Sequence, residues 1–138
     1  MAGQPLTIFQ VAGRAMSAQL IRMNTTASNL ANAGGVASSE AAAYRTIKPV
    51  FQTEYDKATG LATVNVKQIV QAGQAPTKRY DPTNPQADAD GNVWENAVDE
   101  TRELVDMMET ARGYQNDVQV MNTAKTLVLD TLKLGQGS

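Results

Sequence analysis

Apolar residues recur at alternating spacings of three and four near both ends of the chain, and this pattern predicts a long amphipathic helix at each end. The first run consists of Leu6, Phe9, Met16, Leu20, Met23, Ala27 and Leu30, with Gly13 as its weak member. The second run consists of Leu104, Met107, Ala111, Tyr114, Val118, Met121, Val128 and Leu132, with Lys125 as its polar interruption. Helices over residues 5–33 and 104–132 would each be about 43 Å long. Because their lengths match, we expect the two helices to pair along their sides.

Local signals indicate where these helices begin and end. Pro5 suits the first position of a helix, and Gly34 follows the first run, where a helix would stop. Asn96 is the predicted N-cap of the second helix, because acidic residues follow it in the first turns. Gly135 and Gly137 then end that helix.

The middle of the chain carries strand and turn signals. Residues 34–43 are small and predict a flexible linker, residues 46–55 predict an edge strand, and residues 61–70 alternate as in a second strand. In that second strand the alternation predicts that Ala62, Val64 and Val66 face the interior and that Thr63 faces solvent. Residues 76–92 are rich in Pro, Asp and Asn and predict ordered turns.

The predicted fold is therefore mainly α: long N- and C-terminal helices are paired as a coiled coil, with a small β-rich insert between them. Residues 1–33 and 98–138 would form the helical domain. Residues 34–97 would form the linker, a small β hairpin and the ordered loop.

Composition argues against catalysis, metal binding and nucleic-acid binding. The chain has no Cys and no His, so thiolate and imidazole chemistry and the commonest zinc ligands are absent. Asp88, Asp90 and Asn92 resemble the start of a calcium loop, but the position that needs glycine is Val93, so we interpret the segment as a turn. A net charge of −2 and scattered basic residues do not predict nucleic-acid binding. We predict a protein that is not an enzyme and needs no cofactor.

The first helix is unusually poor in charge, which indicates how its surface is used. Arg14 and Arg22 are its only charged residues, and its other positions outside the apolar run are mainly Ala, Ser, Thr, Asn and Gln. A helix that faces water usually displays Glu and Lys. We therefore expect this helix to be covered on more than one side.

Several segments resemble the axial proteins of the bacterial flagellum, the family of rod, hook and hook-associated subunits. Ser28-Asn29-Leu30-Ala31-Asn32-Ala33 is similar to the signature that closes their first helix, and the segments at 112–115, 122–125 and 132–136 are similar to their last helix. The segments at 44–51 and 80–94 strengthen the likeness to the rod proteins of the basal body. The resemblance covers nearly the whole chain.

This resemblance implies a structural subunit of the basal-body rod, which polymerises through its terminal helices into a torque-transmitting tube around the export channel. It implies export by the flagellar type III apparatus without a cleaved signal peptide, and assembly in the periplasm without a membrane span. The implied partners are copies of the chain, other rod proteins, and the ring-junction protein at the rod base. The predicted subunit-interface residues are Leu6, Phe9, Met16, Leu20, Met23, Asn29, Leu30, Asn32, Leu104, Met107, Ala111, Tyr114, Met121, Asn122, Val128 and Leu132.

Two alternatives stay open from the residues alone. A helical hairpin with exposed stripes could instead be a non-catalytic adaptor or export chaperone that binds a partner helix. Tyr44, Arg45, Tyr80 and Trp94 either anchor the β insert on the helix pair or contact a neighbouring subunit.

Overall fold

A long helix precedes and another follows five strands along the chain in the computed structural model, which describes residues 7–137. The strands form two antiparallel sheets: β2 pairs with β3 in a long hairpin, and β5 lies between β1 and β4. The elements in chain order are α1 (Ile8–Asn32), β1 (Val36–Ala37), β2 (Ile47–Asp56), β3 (Leu61–Gln71), β4 (Thr77–Tyr80), β5 (Asn92–Glu95) and α2 (Glu100–Gln136).

The prediction of a mainly α fold with a small β insert is wrong. Of the described residues 47% are helical and 24% lie in strands, and the segment between the helices holds both sheets. The hairpin lies close to where the alternation predicted two strands, but β1 falls in the predicted linker, β4 falls inside the predicted loop at 76–92, and β5 begins at the last residue of that loop. Three short strands carry too few residues for an alternating pattern, so only their pairing with each other reveals them.

The helix starts are fixed by side-chain caps. Thr7 caps α1 in a reciprocal capping box with Gln10, whereas the predicted start at Pro5 lies outside the described residues. Asp99 caps α2 by accepting a hydrogen bond from the Arg102 N–H at 3.1 Å. The prediction that Asn96 is this N-cap is wrong, because Asn96 lies before the helix and bonds to α1 and β1 segments instead.

The hairpin turns its more polar face towards α1. Its register pairs Glu54 with Thr63, and Arg14 of α1 reaches the Glu54 carboxylate at 3.3 Å. Thr63 is only 4% exposed, whereas Ala62 is exposed. The predicted inner and outer positions are therefore reversed at Ala62 and Thr63, because the strand packs on a helix rich in small and polar side chains rather than on an apolar core.

Helix α1 lies between α2 and the hairpin and contacts both. This arrangement agrees with the two-sided covering expected from its lack of charge. The buried apolar side chains among the described residues are small, and the largest is Val93. With so little buried apolar surface, the fold depends on hydrogen-bonded polar side chains at the junctions between its elements.

The loop between β4 and β5 is a set of side-chain turns. The Asp88 carboxylate accepts hydrogen bonds from the backbone N–H groups of Asp90 and Asn92, both at 2.9 Å. Asp81 accepts from Asn84 and Thr83, and these bonds lower the pKa of the Asp81 carboxyl. The segment is thus the turn that its composition predicts.

Candidate assembly surface

The side chain of Asn29 joins α1 to the hairpin and to α2. Its amide nitrogen donates to the Ile47 carbonyl and to the Glu103 carboxylate, both at 3.0 Å. Its amide oxygen accepts from the Ile47 N–H at 2.9 Å and from the Tyr44 hydroxyl at 2.8 Å. The side chain is 1% exposed and all four of its hydrogen-bonding positions are used. Asn29 therefore sets how three elements meet.

The two charged or ionisable neighbours of Asn29 are themselves enclosed. Glu103 is buried on the first turn of α2, and Tyr44 is half-buried in the segment that leads into β2. Burial, and secondly the charge of Glu103, raise the pKa of the Tyr44 hydroxyl above its usual range. Tyr44 therefore anchors the β segment on the helices, which is the first of its two possible roles.

Asn96 forms a second junction at the same end of the helix pair. Its amide nitrogen donates to the backbone carbonyls of Asn32 and Gly35, the second at 3.0 Å. Its amide oxygen accepts from the Val98 N–H at 3.2 Å. The end of α1 is thereby fixed to the segment that enters α2.

The seam between the antiparallel helices is lined by small and polar residues. A Cβ built on Gly113 of α2 would lie 2.8 Å from the Gln19 amide nitrogen of α1, so the helices approach closely there. Thr110 is fully buried, and its hydroxyl bonds back to the Asp106 carbonyl. Ala124 is buried further along α2.

Charged side chains close the hairpin end of this seam. Arg22 of α1 lies 3.6 Å from the Asp106 carboxylate and 3.7 Å from that of Glu109. Lys48 of β2 reaches Asp106 at 3.9 Å. These partly exposed pairs each contribute no more than about 1 kcal/mol, but together they align the three elements.

The predicted interface residues differ in how far their own chain covers them. Asn29 is the member that is buried inside the chain, and Leu6 lies outside the described residues. The half-buried members are Met16, Met23, Leu30, Met107, Ala111, Tyr114 and Met121. The exposed members are Phe9, Leu20, Asn32, Leu104, Asn122, Val128 and Leu132. Their contact with neighbouring subunits stays a prediction.

The heptad analysis missed large apolar residues on other faces of α2. These exposed side chains are Val105, Met108, Val120, Leu127, Leu129 and Leu134. A search for apolar residues at alternating spacings of three and four ignores apolar residues at the other positions of the same helix. Counting apolar residues on every face of the helix would have found them, above all in the run at 127–129.

Two further properties of the described residues concern metal binding and membrane crossing. Between residues 7 and 137, no group of three or more acidic side chains is placed to hold a metal ion. No helix in that range combines the length and apolar character needed to cross a bilayer.

Comparison with known proteins finds matches at both ends and over the whole chain. Residues 9–36 match the family described as flagella basal body rod protein, and residues 89–134 match the C-terminal family of flagellar basal body rod FlgEFG proteins. The chain is similar to the flagellar basal-body rod protein FlgC of Salmonella typhimurium, with 46% identity over 95% of this chain and 98% of that protein. It is 43% identical to FlgC of Escherichia coli O6:H1 and 42% identical to FlgC of Yersinia enterocolitica, each over the same shares of the two chains.

Proposed function

This chain belongs to the FlgC family of flagellar basal-body rod proteins and is a structural rod subunit, and we propose that it polymerises through its terminal helices around a central channel. We further propose that it has no catalytic role, since its relatives are named as rod proteins and its sequence has no Cys or His.

The observation that carries this proposal is the apolar C-terminal segment of α2, which we define as residues 127–134. The antiparallel helices bring Gly13 next to Met121, so α1, which begins at Ile8, reaches only about the start of this segment. Leu127, Val128, Leu129, Leu132 and Leu134 are all exposed, and Leu134 is 79% exposed.

These side chains spread over more than half of the helix circumference, because successive residues are rotated by about 100°, and Asp130 and Lys133 occupy the remaining side. An apolar surface this broad needs more than one neighbouring helix to cover it in water. Burying each leucine would contribute about 1.5–3 kcal/mol. A tube of parallel subunits supplies such neighbours, whereas a chaperone or adaptor that binds one partner helix would cover one side.

The predicted stripes support the same arrangement. Leu20 is exposed on α1 and Leu104 is exposed on α2. The methionines of the same two stripes are half-buried: Met16, Met23, Met107 and Met121. They extend the apolar surface along both sides of the seam. We propose that this surface contacts copies of the chain and other rod proteins.

The cellular setting and further partners belong to the same proposal. We propose that the subunit is exported by the flagellar type III apparatus, assembles within the periplasm, and meets the ring-junction protein at the rod base. The resemblance of both chain ends to axial proteins supports this setting.

Substitution in the C-terminal segment tests the polymerisation surface. Leu132→Glu combined with Leu134→Glu should leave the monomer folded, because both side chains are exposed, and should abolish sedimenting polymers and swimming in a complemented strain. Lys133→Gln, between the two leucines, is the matched control and should assemble normally. Unchanged polymerisation of the double variant would contradict the proposal.

A further inference from the structure

The β2–β3 hairpin exposes apolar side chains on the face opposite to the one that packs on α1. Phe51, Tyr55 and Ile69 are exposed, Tyr55 by 64%. The register pairs Tyr55 with Ala62, Phe51 with Val66 and Pro49 with Ile69, so these side chains share one face of the ribbon. The opposite face lies against α1 near Arg14, so the outer hairpin face is open at Tyr55 and Ile69. Nearer the hairpin base, Phe51 lines a pocket that is shared with the two helices.

Basic residues border the outer hairpin face. Lys57 lies in the turn at the hairpin tip, and Lys67 lies at the irregularity in the ladder opposite Val50 and Phe51. Both side chains are exposed, and neither forms an ion pair with another residue in the range 7–137. The face is therefore apolar at its centre and positive at its edge.

A second exposed apolar patch on the same chain has acidic rather than basic residues at its edge. Leu104, Val105 and Met108 are exposed on the first turns of α2, Met108 by 68%. Glu100 and Glu109 stand on the two sides of these residues around the helix, and both are exposed, although Glu109 also lies 3.7 Å from Arg22 of its own chain. We call these five residues the α2 patch.

An open groove of about 370 Å³ adjoins the α2 patch, and its exposed surface is mostly apolar. The residues that line it all belong to α2: Val105, Met108, Glu109, Arg112, Gly113 and Asn116. An aromatic side chain from a neighbour could enter such a groove, and aromatic anchors in apolar pockets contribute most of the energy of many interfaces.

We propose that the outer hairpin face of one copy of this chain docks on the α2 patch of a second copy. Apolar side chains would meet at the centre, and Lys57 and Lys67 would face Glu100 and Glu109 at the edge. The two surfaces differ, so the contact is heterologous and can repeat without closing on itself, as an open helical polymer requires. The inference rests on the proposed function, because it assumes that copies of the chain assemble side by side.

The absence of cysteine from the natural chain allows a direct test by cross-linking. Tyr55→Cys and Met108→Cys proteins are mixed at polymerising concentration and treated with a short bismaleimide. The proposal expects a cross-linked dimer in severalfold higher yield than from Tyr55→Cys mixed with Gln86→Cys, an exposed loop position outside both patches. Equal yields from the two mixtures would overturn it.

Reversing the charges at the edges of the two surfaces gives a second test, in which a change in one protein should be compensated by the opposite change in its partner. Lys57→Glu with Lys67→Glu should lower the cross-linking yield, because like charges would then oppose each other, and Glu100→Lys with Glu109→Lys in the partner protein should restore it. If restoration fails, the proposed pairing is wrong.

Sedimentation of the same mixtures separates this inference from the proposed function. Assemblies that sediment but yield no specific cross-link would overturn the docking proposal and leave polymerisation through the terminal helices intact. Mixtures that neither sediment nor cross-link would count against both.

Discussion

The Asn29 side chain bonds to both backbone groups of Ile47, accepting from its N–H at 2.9 Å and donating to its carbonyl at 3.0 Å. The amide thus takes the place of a neighbouring strand at the first residue of β2. One side chain on a helix thereby fixes where the hairpin begins, and through Glu103 it fixes α2 as well.

Replacing Asn29 should destabilise the whole fold. Asn29→Ala leaves the Ile47 backbone and the Glu103 carboxylate buried without these partners, so we expect a loss of about 3 kcal/mol in the free energy of unfolding. Urea unfolding followed by circular dichroism measures this loss. Asn32→Ala is the matched control, because the exposed Asn32 amide bonds only to the Ser28 carbonyl of its own helix. A loss as large for Asn32→Ala would contradict the role assigned to Asn29.

The Tyr44 hydroxyl should make the stability fall at high pH. Burial and the nearby charge of Glu103 raise its pKa in the folded state, so the folded protein holds the proton more tightly than the unfolded chain does. The protonated Tyr44 hydroxyl therefore contributes to the free energy of unfolding. This contribution is fully present below the pKa of the hydroxyl in the unfolded chain, near 10. It is lost as the pH rises through the higher pKa of the folded protein.

The comparison of Tyr44→Phe with the natural chain between pH 8 and pH 11 isolates this effect. At pH 8 the variant should lose about 1 kcal/mol, because the hydrogen bond to Asn29 disappears. Above pH 10 the difference in unfolding free energy between the two proteins should shrink. A difference that stays constant over this range would be evidence against a shifted Tyr44 pKa.

Thr63→Val should stabilise the protein, although it removes a polar group. The Thr63 hydroxyl is buried and has no hydrogen-bond partner among the described residues. Valine has nearly the same shape without the unpaired hydroxyl, so the free energy of unfolding should rise by about 1 kcal/mol. Thr53→Val, on the exposed face of the partner strand, should change it by less than about 0.5 kcal/mol. A destabilised Thr63→Val protein would refute this reading of the site.

The sequence predicted the elements that have long repeating patterns, but not the burial of residues that depends on which elements pack together. Both terminal helices follow from their repeats, and the hairpin strands follow from β-branched residues and alternation. The burial of Thr63 does not, because it depends on which face meets α1. The seam follows the heptads only in part, since Gly13 meets Met121 across it, whereas Gly113 and Thr110 also pack between the helices and Leu104 is exposed. Apolar periodicity marks surfaces that need covering, but it does not say whether the chain itself or a neighbour covers them.

Asp117 should be a site where removing a charge stabilises the helix pair. One oxygen of its carboxylate is buried on α2 without a hydrogen-bond partner in the described range, and burial raises the pKa of this carboxyl. A raised pKa means that the folded state disfavours the charged form, so the penalty is present at neutral pH and disappears as the pH falls through the folded pKa towards the unfolded one. Asp117→Asn should therefore raise the free energy of unfolding at pH 7 by less than about 1 kcal/mol, since water still screens much of the group. Urea unfolding at pH 7 and pH 4 checks this, with Asp130→Asn on the exposed part of α2 as control. A gain that is larger at pH 4 than at pH 7 would reverse the assigned sign.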